Sequence, residues 1–293
     1  MQIRSLAIPA LLVTFSLNAQ YGTFDANAVK AAKGASKAVI VLDEGDTSYD
    51  RVMKEHAAAV WKFNGAVEFI AAAELAAQPI SSDKVYILKT SKTDPVKYEA
   101  TFLTVVQGWK PKRGEVLKQT NGRFTGIPME HELAFIQFDP TSLEKEGISG
   151  MVVVYLKNLQ NYLSMVESGK ITDKTTADRL YASRNKAVRD TEFWLAEEHL
   201  DKSFENAAKV HATYTSPCQL MSLSQFPSAL EKQDGATALS DVVMTGDNKN
   251  KHCFKRIFNV GSGELLYLRD DAAVFGKKEG FLEEDLKNLE RAR

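Results

Sequence analysis

The sequence predicts an α/β fold made of two tandem βαβαββα units, each a mixed sheet flanked by helices. Three observations carry that expectation. Short apolar runs alternate with longer segments of helical period, the pattern of α/β architectures. One order of segments occurs twice, opening at Val39 to Glu44 and again at Phe193 to Glu198. Each copy also closes on a helix-like segment carrying Leu-Lys-Asn-Leu, at 156 to 159 and at 286 to 289.

Residues 1–19 have the layout of a secretory signal peptide: Arg4 near the start, an apolar run from Ile8 to Leu17 too short to span a bilayer, and Ala19 at the expected cut. Residues 20–36 are small and polar and are expected as an irregular arm. The first α/β unit spans 37–168. Its first strand, from Lys37 to Leu42, has no polar interruption and so is expected to be buried on both faces. Ser48 to Lys62 is helical, with Asp46, Thr47 or Ser48 as N-cap and Val52, His56, Ala59 and Val60 on one face. A strand at Val67 to Ile70, a short helix over Ala72 to Ala77 and a strand at Lys84 to Thr90 follow. Tyr98 to Trp109 is the fourth strand. Glycines at 114, 122 and 126 mark the next stretch as a hairpin or loop that the second copy lacks. Glu132 to Phe138 is strand-like and stops at Asp139-Pro140. Gly150 to Ser168 is the strongest helix, with Val152, Leu156, Leu159, Leu163 and Val166 along one stripe.

Residues 169–190 are charged, lack proline after Gly169, and form a helical connector. The second unit spans 191–293. A helix at Ser203 to Tyr214, strands near Cys218 to Met221 and Ser240 to Met244, and a turn at Gly246-Asp247-Asn248 repeat the first order. Lys251 to Val260 then meets Gly261-Ser262-Gly263, a tight turn before the strand Glu264 to Leu268. Phe281 to Arg293 closes the chain as an amphipathic helix with Leu282, Leu286 and Leu289 on one side.

The formal net charge of −1 over 293 residues supplies no electrostatic footprint for nucleic acid or anionic lipid. No later apolar run is long enough to cross a membrane. The expected setting is therefore the periplasm or the extracellular space.

The order strand, helix, strand, helix, antiparallel strand pair, helix resembles the thioredoxin-like fold in tandem. The family's redox motif does not carry over, because 43–50 read Asp-Glu-Gly-Asp-Thr-Ser-Tyr-Asp where Cys-x-x-Cys would stand. The second unit has no cysteine before Cys218, and neither unit has a proline directly before its third strand. In its start ending Asn-Ala-Gln and in Gly263-Glu264-Leu265-Leu266-Tyr267, the chain also resembles exported proteins of Bacteroidota, a likeness that implies export and no activity.

Asp43, Glu44 and Asp46, with Asp50, follow the first strand at the edge where open α/β sheets place ligands. Their oxygens could hold Mg²⁺ or Ca²⁺. The spacing approaches the Asp-x-Asp of haloacid-dehalogenase-like phosphatases, with the second acid three places on instead of two. Solvated loop carboxylates beside a helix start explain the same residues. Glu130-His131-Glu132 cannot converge from one strand, since neighbours point to opposite faces. The other histidines show no His-x-x-x-His spacing, no Gly-x-Ser-x-Gly elbow exists, and no glycine-rich phosphate loop follows a strand. Lys110, Lys112, Arg113 and Lys118 beside Trp109 are accounted for as a charged hairpin tip.

Cys218 and Cys253 are the only cysteines. An oxidising compartment favours pairing them. Their expected places on the second and fourth strands of one sheet put them about 14 Å apart, about twice the reach of a disulfide. The two arguments oppose each other. The functional expectation is an exported, non-catalytic binding or assembly protein with an envelope or extracellular protein partner and no cofactor. Trp61 and Trp109 are candidate contact anchors. The alternative is a divalent-metal-dependent hydrolase using Asp43, Glu44 and Asp46.

Overall fold

The computed structural model describes residues 21–292 apart from 94–98, 144–147, 205, 233 and 247–250. The segment 1–19 and most of the turn at 246–248 lie outside the described residues. In the first unit, β1 (Lys37–Leu42), α2 (Ser48–Val60), β2 (Ala66–Ala71), α3 (Ala72–Ala76), β3 (Lys84–Thr93) and β4 (Glu99–Gln107) follow α1 (Ala26–Lys33). The hairpin β5 (Lys118–Thr120) and β6 (Arg123–Thr125), then β7 (Glu132–Phe138), α4 (Pro140–Leu143) and α5 (Met151–Glu167), complete it. The connector is α6 (Lys174–Arg184) with a 3₁₀ segment at Asn185–Asp190. The second unit runs β8 (Glu192–Ala196), α7 (Ala207–Thr213), β9 (Cys218–Met221), α8 (Phe226–Lys232), β10 (Thr237–Thr245), β11 (His252–Asn259), β12 (Leu265–Ala272) and α9 (Glu283–Arg291).

The two sheets share one path. The first is ordered β2-β1-β3-β4-β7 and the second β9-β8-β10-β11-β12. In each, the first strand is parallel to both of its neighbours, and the last two strands join antiparallel. Each unit thus carries a fifth strand on this path, one more than βαβαββα. The hairpin that only the first unit possesses attaches to β3 at Thr90 opposite Phe124. Its turn is Asn121-Gly122, both at positive φ, the conformation that a two-residue hairpin loop requires.

Burial follows strand alternation on both faces. In β1, Ala38, Ile40 and Leu42 enter the main core while Val39 and Val41 enter a second cluster beneath α3 and the hairpin. In β8, Trp194 and Ala196 face the main core and Phe193 and Leu195 face a cluster with α7 and α9. The main core unites the two units. Ile40, Ile87 and Leu103 of the first sheet belong to the same cluster as Leu239, Phe258 and Leu265 of the second, with α5 among them. Met151, Val154, Tyr155, Tyr162 and Met165 are buried in addition to the expected stripe, so α5 is covered nearly all round. Tyr155 meets the Phe258 ring edge-on at 5.9 Å between centroids. Asn158 Nδ2 donates to the Gly263 carbonyl at 2.9 Å.

The arm expected at 20–36 is ordered instead. Asp25 caps α1 by accepting from the Asn27 and Ala28 amides, and Val29 and Ala32 are buried. Tyr21 stacks on Tyr181 at 5.9 Å, and Thr23 N–H donates to the Leu133 carbonyl. Small residues here serve close packing, which composition alone reads as a tether. The buried face of α2 also differs from expectation: Tyr49, Met53 and Ala57 face the core, leaving Val52 and His56 half-buried to one side. Among the described residues, no helix is long and apolar enough to cross a membrane.

Candidate functional site

Asp43, Glu44 and Asp46 occupy the loop between β1 and α2, beyond the carboxyl ends of β1 and β3. They do not converge. Asp43 is ion-paired with Lys89 of β3 and also accepts from Thr47 Oγ1 at 3.4 Å. Its N–H donates to Asp50 Oδ1 at 2.7 Å. Asp46 turns to Arg51, 3.6 Å away, and Glu44 is exposed. Lys89 Nζ lies 4.5 Å from the centroid of the Tyr49 ring, which holds the cation in a dry site. Burial pushes the Asp50 carboxyl above its usual range, opposed by the Asp43 N–H that it accepts. The hairpin closes over this pair: a Cβ on Gly122 would sit 2.6 Å from Asp43 Oδ1. Among the described residues, no group of three or more His, Cys, Asp or Glu side chains could hold a metal ion. The first-strand carboxylate thus fastens β1 to β3 and α2.

The second unit has a polar cluster in the equivalent place. Ile87 pairs with Ile40 and Leu239 with Trp194, so Lys89 and Asp241 stand at matching positions two residues on. Asp241 accepts from Arg256 Nε at 2.7 Å and from the Tyr155 hydroxyl of α5 at 3.1 Å. Beside it, His199 Nδ1 lies 2.8 Å from Ser240 Oγ, which accepts the Ala196 N–H at 3.0 Å. The hydroxyl has no other acceptor among the described residues, so it donates to Nδ1 and the ring carries its proton on Nε2. Burial draws His199 down to about 4 and keeps it neutral. A serine, a histidine and an aspartate therefore meet without forming a nucleophilic triad. The serine is fully buried, and the carboxylate is committed to Arg256 and Tyr155 instead of the imidazole.

The remaining sequence candidates also have structural partners. Glu132 pairs with Lys92 at 2.5 Å, His131 stacks on Trp109 at 4.7 Å, and Glu130 is exposed. Trp109 is buried with its Nε1–H donating to Glu115, and Trp61 is buried with its own bonded to Asn64. Neither ring is free to anchor a partner. Cys218 and Cys253 are free thiols on β9 and β11, with β8 and β10 between them. Burial pushes each to about 12, which leaves them protonated and weakly reactive.

A concavity lies away from Asp43 and its loop, where the two units meet. A cleft of about 370 Å³ is walled by three helices. Val52 and His56 contribute from α2, Gly150, Val153, Val154 and Lys157 from α5, and Pro227, Leu230 and Glu231 from α8, with Val260 beyond β11. Each set follows helical spacing, so each is one continuous stripe. Gly150 lets α8 come close: a Cβ there would lie 2.7 Å from Leu230 Cδ1. The Gly261-Ser262-Gly263 turn presses on the same stretch of α5, since a Cβ on Gly263 would fall 2.3 Å from Lys157 Cβ. Lys157 Nζ donates to the Val260 carbonyl at 3.1 Å.

On sequence alone Val52 and His56 share one face of a helix with Ala59 and Val60, and no binding motif marks Val153, Lys157 or Leu230. The available signal is a surplus of apolar residues on α2 and α5 beyond one buried stripe. Comparison of the chain with protein-family models, with curated proteins and with solved structures gives no match in any of the three.

Proposed function

We propose that the chain is a non-catalytic binding protein that takes a small molecule with an apolar body into the cleft between its two units. The observation that carries this reading is the cleft itself, built jointly by α2, α5 and α8. Its volume lies in the range of small-ligand sites, and a boundary between units is a common place for them. The polar groups that would arm an enzyme are instead spent on holding strands and helices together. Asp43 is paired with Lys89, Asp241 with Arg256, and His199 with Ser240. The thioredoxin-like order brings no redox role with it, because no cysteine follows β1 or β8 directly and the two free thiols, Cys218 half-buried and Cys253 buried, stand on strands separated by β8 and β10. Residues 1–19 support action outside the cytoplasm, where such a protein would carry or present its ligand to an envelope or extracellular component.

At about 30 Å³ for each, the cleft accommodates about a dozen non-hydrogen atoms. Isothermal titration with 1-octanol and with octanoate tests the reading. At least one should bind the wild type with a stoichiometry of one, and Val153→Phe or Val52→Phe, which add bulk from α5 and from α2, should abolish it. Absence of binding by both probes, or binding indifferent to both substitutions in folded protein, overturns the proposal.

A further inference from the structure

One wall of the cleft carries a cation without a paired acid among the described residues. Lys157 is half-buried in its wall, and its stem is held by the turn at Gly263. Its one hydrogen bond among the described residues goes to a neutral acceptor, the Val260 carbonyl. Among the described residues no carboxylate is paired with it, whereas the other buried and half-buried lysines each have one. Lys89, Lys92 and Lys255 are each matched with an acid. Burial alone moves the Lys157 ammonium below its ordinary value, and no neighbouring charge opposes that shift. Glu231 of α8 lines the same cleft, is exposed, and makes no ion pair with Lys157 among the described residues. An ammonium has three donors, so two remain to be satisfied at the cleft wall. A half-dry cation without a counter-ion is the expensive arrangement, and it is relieved by an anion that arrives with the ligand.

We infer that the cleft selects a small anionic amphiphile, a carboxylate on a short apolar body, with its head group on Lys157 and its body against Val52, Val153 and Leu230. This rests on the binding reading above and adds the ligand's charge to it. His56 lines the α2 wall, with its Nε2 3.8 Å from Glu55 Oε1. Neutral molecules of equal size would bury the same apolar surface and leave the ammonium unrelieved. A cationic amphiphile would be repelled.

Octanoate, 1-octanol and octylammonium, titrated calorimetrically into the protein, separate these cases. A charge-assisted hydrogen bond adds about 1.5–3 kcal/mol, so octanoate should bind about tenfold to a hundredfold more tightly than 1-octanol. Octylammonium should bind more weakly than either. Lys157→Met keeps the apolar stem and should remove octanoate's advantage over 1-octanol. Lys157→Arg should retain it. Should 1-octanol bind as well as octanoate, or Lys157→Met keep the preference, the charge inference fails while the cleft reading stands on its Val153→Phe control. Should no probe bind, the cleft reading itself fails. An unfolded Lys157→Met would leave the octanoate-to-octanol ratio of the wild type and the Lys157→Arg result to decide.

Discussion

His199 makes the fold sensitive to acid between its unfolded-chain pKa and its lower folded value of about 4. The ring follows β8 directly, is buried against Phe226, and accepts the Ser240 hydroxyl on Nδ1. Burial outweighs the attraction of Asp241 and Glu198 and draws the folded-state pKa from the ordinary 6.5 to about 4. The unfolded chain therefore takes up its proton first on acidification. Stability from this group is complete above the unfolded value and declines as pH falls from there towards the folded one. The whole shift corresponds to about 3 kcal/mol, and about 2 kcal/mol should be gone by about pH 5. Urea unfolding of the wild type and of His199→Asn, at intervals between about pH 7.5 and 5, reads this directly. Asparagine offers an amide oxygen to Ser240 but cannot take up the proton. The wild-type curve should fall more steeply than the variant's by up to about 1.4 kcal/mol per pH unit. Contributions common to both proteins cancel, including that of Asp50, whose raised pKa acts in the opposite sense. Acids held low, such as Asp201 and Asp271, lose their contribution only below this window. Parallel curves across the window would refute the reasoning, because they would mean that the folded protein protonates His199 as readily as the unfolded chain does.

Two further outcomes follow from the packing. Gly263→Ala should cost about 2 kcal/mol or more and weaken ligand binding in the cleft, because it combines positive φ with a collision against α5; Gly45→Ala, also at positive φ but with open space around it, should cost only about 1 kcal/mol. Asp285→Ala strips the carboxylate that Lys255, Arg269 and the Tyr267 hydroxyl share, so it should cost about 3–5 kcal/mol, and Lys255→Met/Asp285→Leu should recover most of it in a double-mutant cycle of urea unfolding.

The two halves preserve a topology and exchange the chemistry within it. At the matched position of the third strand, the first unit has Lys89 and the second Asp241. The acid for Lys89 comes from the loop after β1, whereas the cation for Asp241 comes from the neighbouring strand, with Arg256 directly across the ladder. Each pair is then covered by a tyrosine, Tyr49 from α2 in the first unit and Tyr155 from α5 in the second. The second cover belongs to the first unit's helix. That loan ties the halves together, since α5 can satisfy Asp241 only while both sheets remain packed on it. The same docking forms the cleft, so its walls exist only in the joined molecule.

How much of this is legible in the sequence depends on how local each signal is. The strands are legible because β1 and β8 are buried on both faces and so read as unbroken apolar runs. The hairpin announces itself through Asn121-Gly122, and α5 through its stripe. The arm at 20–36 is misread because the buried face of its helix is only Val29 and Ala32, and its large residues, Tyr21 and Phe24, precede the helix and belong to no periodic run. On α2, the true core face begins with Tyr49 and Asp50, a polar-looking pair, and so the apparent stripe at Val52 and His56 takes its place. That stripe is apolar for another reason: it faces a cleft whose other walls lie some hundred and more positions further along the chain, at Val153 and Leu230. No window of sequence contains all three walls, but α2 and α5 each carry more apolar residues than one buried face consumes. Lys157 follows the same logic in reverse. Within the Leu-Lys-Asn-Leu repeat it looks like the solvated side of an amphipathic helix, as Lys287 is, whose ammonium pairs with Glu283 at 2.5 Å. Two units packed on one helix leave that helix with no solvated side along this stretch, and so an ordinary surface lysine becomes the unpaired charge of an interior wall.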